Sequence, residues 1–404
     1  MAGTASAGDR PAASRYDGAV TCSLRTPHLR IAAVAALLAA LAAPAAGREM
    51  PWRGSLALWA GGDDREPAAA TLGARYVPEL YLSLPVRSGA AIDLDVGGET
   101  WRRWCVRGAG DGDIAGESRL YRAWLRVAGD RAEARLGLQH IAFGPAVLLR
   151  PHMWFDSVDA RDPLARTEGV TGLLLRAWFA ESANLWLWGL LGNDAPKGWE
   201  RVPTVDDEPE VGGRLQVPFL GGELAASAHR RLVDWARLEL PPWLPPARCE
   251  PEQRYGVDGR WDAGIGFWLE GVLQRQHGDL APARWRRFAT LGADYTLGIG
   301  DGLTVLAEHF AAGQDDEALG GRPATRVSAL SLRYPLGLMD TIQFMVFRDW
   351  EAAEGYHYFR WERRGDRWRL DLSAWANPEG GSLLPGAGEA LPGLGGRITV
   401  VYDH

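Results

Sequence analysis

Past residue 50 the chain obeys a period of two. "RAEARLGLQ" places Arg131, Glu133, Arg135 and Gln139 on one side of an extended strand and Ala132, Ala134, Leu136 and Leu138 on the other. "AIDLDV" opposes Asp93 and Asp95 to Ile92, Leu94 and Val96. "RWRLDLSAW" sets Arg369, Asp371 and Ser373 against Trp368, Leu370, Leu372 and Ala374. Only a strand sends successive side chains to opposite faces, so each segment has one apolar and one charged face. Many of these segments run to about nine residues or more, beyond the length usual in soluble sheets and sufficient for a tilted strand to cross a bilayer. Their apolar faces are rich in Ala, Gly and Leu, which suits contact with lipid better than a tightly packed core.

Strands are predicted near 54–60, 72–84, 89–97, 118–128, 131–140, 169–180, 183–192, 210–218, 222–230, 253–262, 265–275, 286–298, 302–311, 325–334, 340–349, 355–363, 366–376 and 394–402. The connections alternate in length. Short ones such as "GD", "FLG" and "RG" are interleaved with the longer stretches 61–71, 98–117, 141–168, 193–209, 231–252, 276–285, 312–324, 350–354 and 377–393. Short turns at one end and long loops at the other are the layout of a transmembrane antiparallel up-and-down β-barrel. The expected fold is therefore all-β, with about eighteen strands; sixteen also fits if boundaries slip by about two to four residues. An even number closes the sheet and leaves no open edge.

The composition agrees. The chain has 50 Gly and 19 Trp against 5 Met, a mixture suited to many tight turns and to aromatic girdles at membrane interfaces. Trp101, Trp104, Trp199, Trp285, Trp350 and Trp361 fall near predicted strand ends and are expected in those girdles. The net charge of -7 offers no basic field for nucleic acid. Acidic clusters, Asp111 and Asp113, Asp206 to Glu208 and Asp315 to Glu317, fall in longer loops and read as a solvated rim.

Residues 1–46 read as an N-terminal extension and cleavable signal peptide, and 47–404 as a single barrel domain. Arg25 and Arg30 precede an apolar run from Ile31 to Ala43, followed by the small-residue site Ala43-Pro44-Ala45. Localisation in a Gram-negative outer membrane follows from that leader and the strand pattern. Cys105 and Cys249, both in predicted loops, are candidates for a disulfide in that oxidising setting.

The irregular segment after Gln139 holds the candidate ligands. His140, His152, Asp156, Asp159 and Asp162 lack the spacing of a metal loop, and Arg150, Arg161 and Arg166 stand ready to pair with the acids. Neither a metal nor another cofactor is expected. Ser227 and His229 share a strand face, but no nucleophile elbow accompanies them, so catalysis is not expected. What remains is a face bearing Asp93, Asp95, Arg122, Arg126, Arg131, Glu133, Arg135, Gln139, Arg214, Arg254, Asp258 and Glu270. So many ionised groups cannot be buried dry, whereas a water-filled lumen accepts them.

Within "RLGLQHIAFGPAVLLRPHMWFDSVDARDP", Arg135, Gly137, Gln139, Ile141, Phe143 and Gly144 match a strand of the form R-x-G-x-Q-x-I-x-F/W-G. Phe155, Asp159, Asp162 and Pro163 match the loop that follows it more loosely. This passage resembles that of large bacterial outer-membrane porins, including alginate-export-like and related substrate-specific channels. The resemblance implies passive transport of hydrophilic solutes (sugars, polysaccharide or anions) with the third long loop, 141–168, folded inward as a constriction. Arg150, Asp156, Asp159, Arg161, Asp162 and Arg166 would then form an eyelet, with Arg122, Arg126, Arg131, Glu133, Arg135 and Gln139 on the lumen wall. The partners implied are outer-membrane lipid and lipopolysaccharide, the solute, and the barrel-assembly machinery. Such barrels often end in an aromatic residue, whereas this sequence ends "VVYDH". Two other classes compete with the channel: a soluble periplasmic or surface β-rich binding protein, and a barrel enzyme acting on lipid.

Overall fold

The computed structural model describes residues 52–64, 68–86, 89–107, 112–162, 167–179, 182–239, 245, 248–278, 280–378 and 391–404. The leader and its cleavage site lie outside these residues, as do Asp111, Pro163 and Arg166. Eighteen strands follow one another. They are β1 (Trp52–Asp63), β2 (Ala69–Pro85), β3 (Ala91–Arg107), β4 (Asp113–Ala128), β5 (Ala132–Gln139) and β6 (Val170–Trp178). Then come β7 (Asn184–Leu190), β8 (Glu210–Phe219), β9 (Gly222–Asp234), β10 (Cys249–Asp262), β11 (Gly266–Gln276) and β12 (Trp285–Leu297). The last are β13 (Leu303–Asp315), β14 (Thr325–Leu336), β15 (Asp340–Asp349), β16 (Glu354–Arg364), β17 (Trp368–Asn377) and β18 (Gly393–Asp403).

Each strand pairs antiparallel with its neighbours in sequence, and β18 pairs back onto β1 from Ser55↔Asp403 to Asp63↔Gly395. The sheet is a closed barrel, as the alternation predicts, and it is not the pair of packed sheets that a soluble binding module would show. Its polarity is inverted. On β10 the outward Tyr255 and Val257 are 44% and 47% exposed, while the inward Glu252 and Asp258 are 1% and 3% exposed. Apolar outside and charged inside is the arrangement a water-soluble sheet avoids.

The turns at one end are tight. Between β8 and β9 only Leu220 and Gly221 intervene, both at positive φ (49° and 77°), the geometry that matches the twist of a two-residue hairpin. At the other end two expected loops are much shorter than predicted, because β1 to β4 run on past the windows 61–71 and 98–117. For the 98–117 window the reason lies in β4. Gly97 faces Arg122 and Gly98 faces Leu120, so Tyr121 is an extra residue in the ladder. That bulge shifts the inward set from Arg119 to Arg122, Trp124 and Arg126, and a strict alternation reads such a shift as a strand end.

Candidate pore and its constriction

The connection between β5 and β6 turns into the barrel. Gly144 (φ 93°) lies against the Glu270 carboxylate of β11, where any side chain would collide with it. Glu270 accepts the backbone N–H of Ala146 (2.7 Å) and of His152 (3.2 Å), and its Oε2 lies 3.0 Å from His152 Nδ1. Three successive amides, Val147, Leu148 and Leu149, donate to the Glu308 carboxylate of β13 at 2.7, 2.9 and 2.6 Å. Trp268 Nε1 donates to the same carboxylate (3.1 Å), and the Thr290 hydroxyl donates to Leu149 O (2.6 Å). Two carboxylates thus satisfy five backbone donors that would otherwise be buried without partners, each worth about 1–3 kcal/mol if orphaned. Gly256 of β10 supplies the space beside them, for His152 and Trp154 occupy the volume that a side chain would need.

The loop's apolar side packs dry. Ile141, Phe143, Leu148, Leu149, Met153, Trp154 and Phe155 join Leu174, Trp188 and Leu190 on one flank. On the other they join Phe288, Phe310, Val327, Met345, Phe347, Tyr358 and Trp375. The Tyr358 hydroxyl of β16 donates to Arg161 O at 3.0 Å. A second inward loop, between β7 and β8, braces the first. Its Trp199 stacks on Phe310 (centroids 4.8 Å apart, planes 11°) and donates to Arg150 O at 2.8 Å. Trp199 is therefore buried inside the barrel and does not belong to an aromatic girdle, contrary to its position in sequence. Trp104 and Trp350 do stand on the exposed face.

The opposite wall is built differently. On β2 to β6, six arginines and five carboxylates form three linked groups. Arg75 and Arg119 hold Glu99 at 3.2 Å each. Arg122 bridges Glu79 (3.0 Å) and Asp95 (3.1 Å), and the Tyr121 hydroxyl also donates to Glu79. Arg126 bridges Asp93 (2.6 Å) and Glu133 (3.3 Å), which also meets Arg135 (3.5 Å) and Arg176 (3.2 Å). The two signs are not presented equally. The side chains of Arg75, Arg119, Arg122 and Arg126 are 24–34% exposed, whereas those of Asp93, Asp95, Glu99 and Glu133 are 1–5% exposed. These four carboxylates lie at the bottom and these four guanidiniums cover them, while Glu79 and Arg135 are equally exposed at 15%. Arg135 and Arg176 stack over Trp124 and Trp186, with Cζ 4.6 and 3.8 Å from the ring centroids, which fixes their planes.

The predicted eyelet residues divide. Asp162 reaches the arginine wall, 3.8 Å from Arg75, and Glu168 reaches Arg119 at 3.6 Å. Asp159 and Arg161 pair with each other (2.9 Å) on the loop. Asp156 is buried, held by Arg150 (2.9 Å) and His140 (3.3 Å), so it organises the loop and does not face a solute. Gln139 is fully buried as well, its Nε2 turned onto the sheet and donating to Gly172 O (3.0 Å) and Arg135 O (3.2 Å). Arg131 lies in the exposed turn before β5, since that strand starts at Ala132, and is not on the lumen wall. Glu308 escaped the sequence reading, which places Trp199 in a girdle. The one available signal for Glu308 was a single acid on an otherwise apolar inward face, between Leu306 and Phe310.

The remaining candidates are accounted for structurally. Both nitrogens of His229 are engaged, Nδ1 accepting from Trp188 Nε1 (3.1 Å) and Nε2 facing Glu210 (3.2 Å), while Ser227 accepts from Arg214 (3.2 Å). No cluster of three or more metal-ligating side chains occurs among the described residues. Cys105 is a free thiol, so it is not joined to Cys249: the former lies on β3 and the latter begins β10, across the barrel.

No family model matches the sequence, and no curated protein does. Solved structures do. Pseudomonas aeruginosa OccK5 (OpdH) superposes with a TM-score of 0.53 at 13% identity, covering 87% of this chain and 97% of its own. Acinetobacter baumannii OccAB4 gives 0.53 at 8% identity, covering 89% and 99%. OccAB2 from the same organism gives 0.52 at 12%, covering 87% and 97%. The fold is a porin-like barrel. At such identities nothing beyond the fold is carried across.

Proposed function

We propose that this chain spans the bacterial outer membrane and passes small hydrophilic solutes, favouring anions over cations. The apolar exterior of a closed eighteen-strand barrel supports the membrane placement, and the inward loop supports a narrowed passage beside it. One observation carries the charge preference: on the β2–β4 part of the wall Arg75, Arg119, Arg122 and Arg126 are the exposed groups, and Asp93, Asp95, Glu99 and Glu133 are buried beneath them. An ion passing that wall meets donors first. Paired arginines keep their N–H groups aimed outward, so a carboxylate or phosphate can exchange from one fork to the next without a deep trap. The alternative of a lipid-directed enzyme lacks an exposed nucleophile–base pair among the residues weighed for it.

The test is single-channel recording in planar bilayers under a salt gradient. An anion-selective reversal potential is expected. A cation-selective one overturns the charge preference, and the absence of any pore overturns the channel.

A further inference from the structure

The tight-turn end of the barrel is not uniform around its rim. Among the fully described turns, β4–β5 and β16–β17 expose Asp130-Arg131 and Asp366-Arg367 at their tips, as suits a turn in water. Four consecutive turns on the other half carry aliphatic side chains instead. Leu220 (β8–β9), Ile265 (β10–β11), Ile299 (β12–β13) and Leu338 (β14–β15) project from them, each more than half exposed. The outward aromatics Phe219, Trp261, Phe267 and Tyr295, which suit a membrane interface, lie on the strands that lead to these tips. The tips themselves share their height with charged groups. Asp301 stands in the same turn as Ile299, and Asp262, with its side chain 70% exposed, ends the strand before Ile265. Carboxylates at that level place the four tips in water and not in hydrocarbon.

The arc is cross-braced. Trp261 Nε1 donates to Phe219 O (3.0 Å) and its ring stacks on Phe267 (centroids 5.4 Å apart, planes 15°), which joins the first two turns. Asp301 accepts the Gly337 N–H (3.0 Å) and its own N–H donates to the Tyr334 hydroxyl (3.3 Å), which joins the last two. Beside the arc lie four acids, Glu223, Asp262, Asp294 and Asp301, against two cations, Arg260 and Arg333. Arg260 is divided between Asp262 and Asp294 at 3.4 Å each, and Glu223 accepts only from the Gln216 amide (2.5 Å). An apolar row held rigidly in water, with an excess of negative charge along it, is the signature of an interaction surface.

We propose that this half of the rim docks a basic amphipathic helix of a periplasmic protein. Its apolar stripe would lie on Leu220, Ile265, Ile299 and Leu338, and its lysines or arginines over Glu223, Asp262 and Asp294. Successive hairpins are two strand spacings apart, roughly 10 Å. A helix advances by about the same distance in seven residues, so one apolar face meets successive tips. The acids on the lumen side of the arc then fix which flank of the helix carries the positive charge. The proposal rests on the membrane placement above, which puts the tight turns in the periplasm, but not on the passage of solutes.

The test uses the full barrel in phosphatidylcholine nanodiscs, whose stable formation checks the membrane placement separately. The probe is a synthetic helix of about twenty residues, with leucines along one face and lysines along its flanks. A scrambled peptide of the same composition is the control, and fluorescence anisotropy reads binding. The ordered peptide should bind barrel-loaded discs about ten-fold more tightly than the scrambled one, and empty discs no better than the scrambled one does. Leu220→Asn with Leu338→Ser should remove that advantage; asparagine tolerates the positive φ of the first turn. Glu223→Gln with Asp262→Asn should weaken binding several-fold and flatten its dependence on salt. Unchanged affinity in the leucine variant would overturn the site. Equal uptake by empty discs would assign the helix to the membrane and overturn the protein partner. Equal binding of the scrambled peptide would overturn the apolar match. Heat-modifiable migration confirms that each variant is folded.

Discussion

The two sides of the lumen use the same chemistry for opposite purposes. On β11 and β13, Glu270 and Glu308 are buried and receive the backbone of a loop. On β3 and β5, Asp93, Asp95 and Glu133 are buried equally well and receive arginine side chains, whose far faces stay open. A carboxylate at the bottom of the wall therefore either closes space, when its donors are amides of a packed segment, or lines space, when its donors are long cations. Position along the strand does not distinguish the two cases. What stands above the carboxylate does.

The contrast can be broken most severely from the docked side. Deleting residues 145–160 should raise single-channel conductance several-fold while leaving anion preference in place, because the arginine wall is untouched. Glu308→Ala should approach that result, since it orphans three amides and one indole N–H at about 1–3 kcal/mol each. Its signature would be higher and noisier conductance, with proteolytic cleavage newly appearing within 145–160. Gly256→Val should act in the same direction but less strongly, because the new side chain occupies the volume of His152 and Trp154 and forces only part of the loop away.

From the open side the expected effects are smaller in conductance and larger in selectivity. Arg122→Gln with Arg126→Gln leaves Asp93 and Asp95 without their main partners, so the wall turns from cationic to anionic on balance. Reversal potentials should shift toward cations while open-channel current changes by less than about two-fold. The smallest effect is expected at Arg131. Replacing it with Gln should alter neither quantity measurably, since it stands in an exposed turn; a selectivity shift of the size seen for Arg122 would contradict the assignment of the wall.

Much of this architecture is legible in the sequence, and for a definite reason. A strand with one apolar outward face and one charged inward face writes its period into the sequence, so each predicted window coincides with a strand. The inward identity of Arg122, Arg126, Glu133 and Arg135 follows from the same period. The strand that misled was β4, where the Tyr121 bulge resets the phase. The inward loop was legible only as a segment. Whether Asp156 faces a solute or Arg150 and His140 depends on how the loop folds over itself, and Asp156 is buried. Glu308 was hidden for the complementary reason: its ligands are backbone amides at residues 147–149, which no side-chain pattern records. Trp199 looks like a girdle residue by spacing, yet a long-range stack with Phe310 draws it inside.

Under the proposed function, exposed guanidiniums over buried carboxylates set what the barrel passes. Its most direct measurement is the reversal potential of the intact protein and of the Arg122→Gln, Arg126→Gln variant across the same potassium chloride gradient. An anion-selective parent whose preference is lost in the variant, at nearly unchanged conductance, is the predicted result. A parent with no preference, or a variant as anion-selective as the parent, would contradict it.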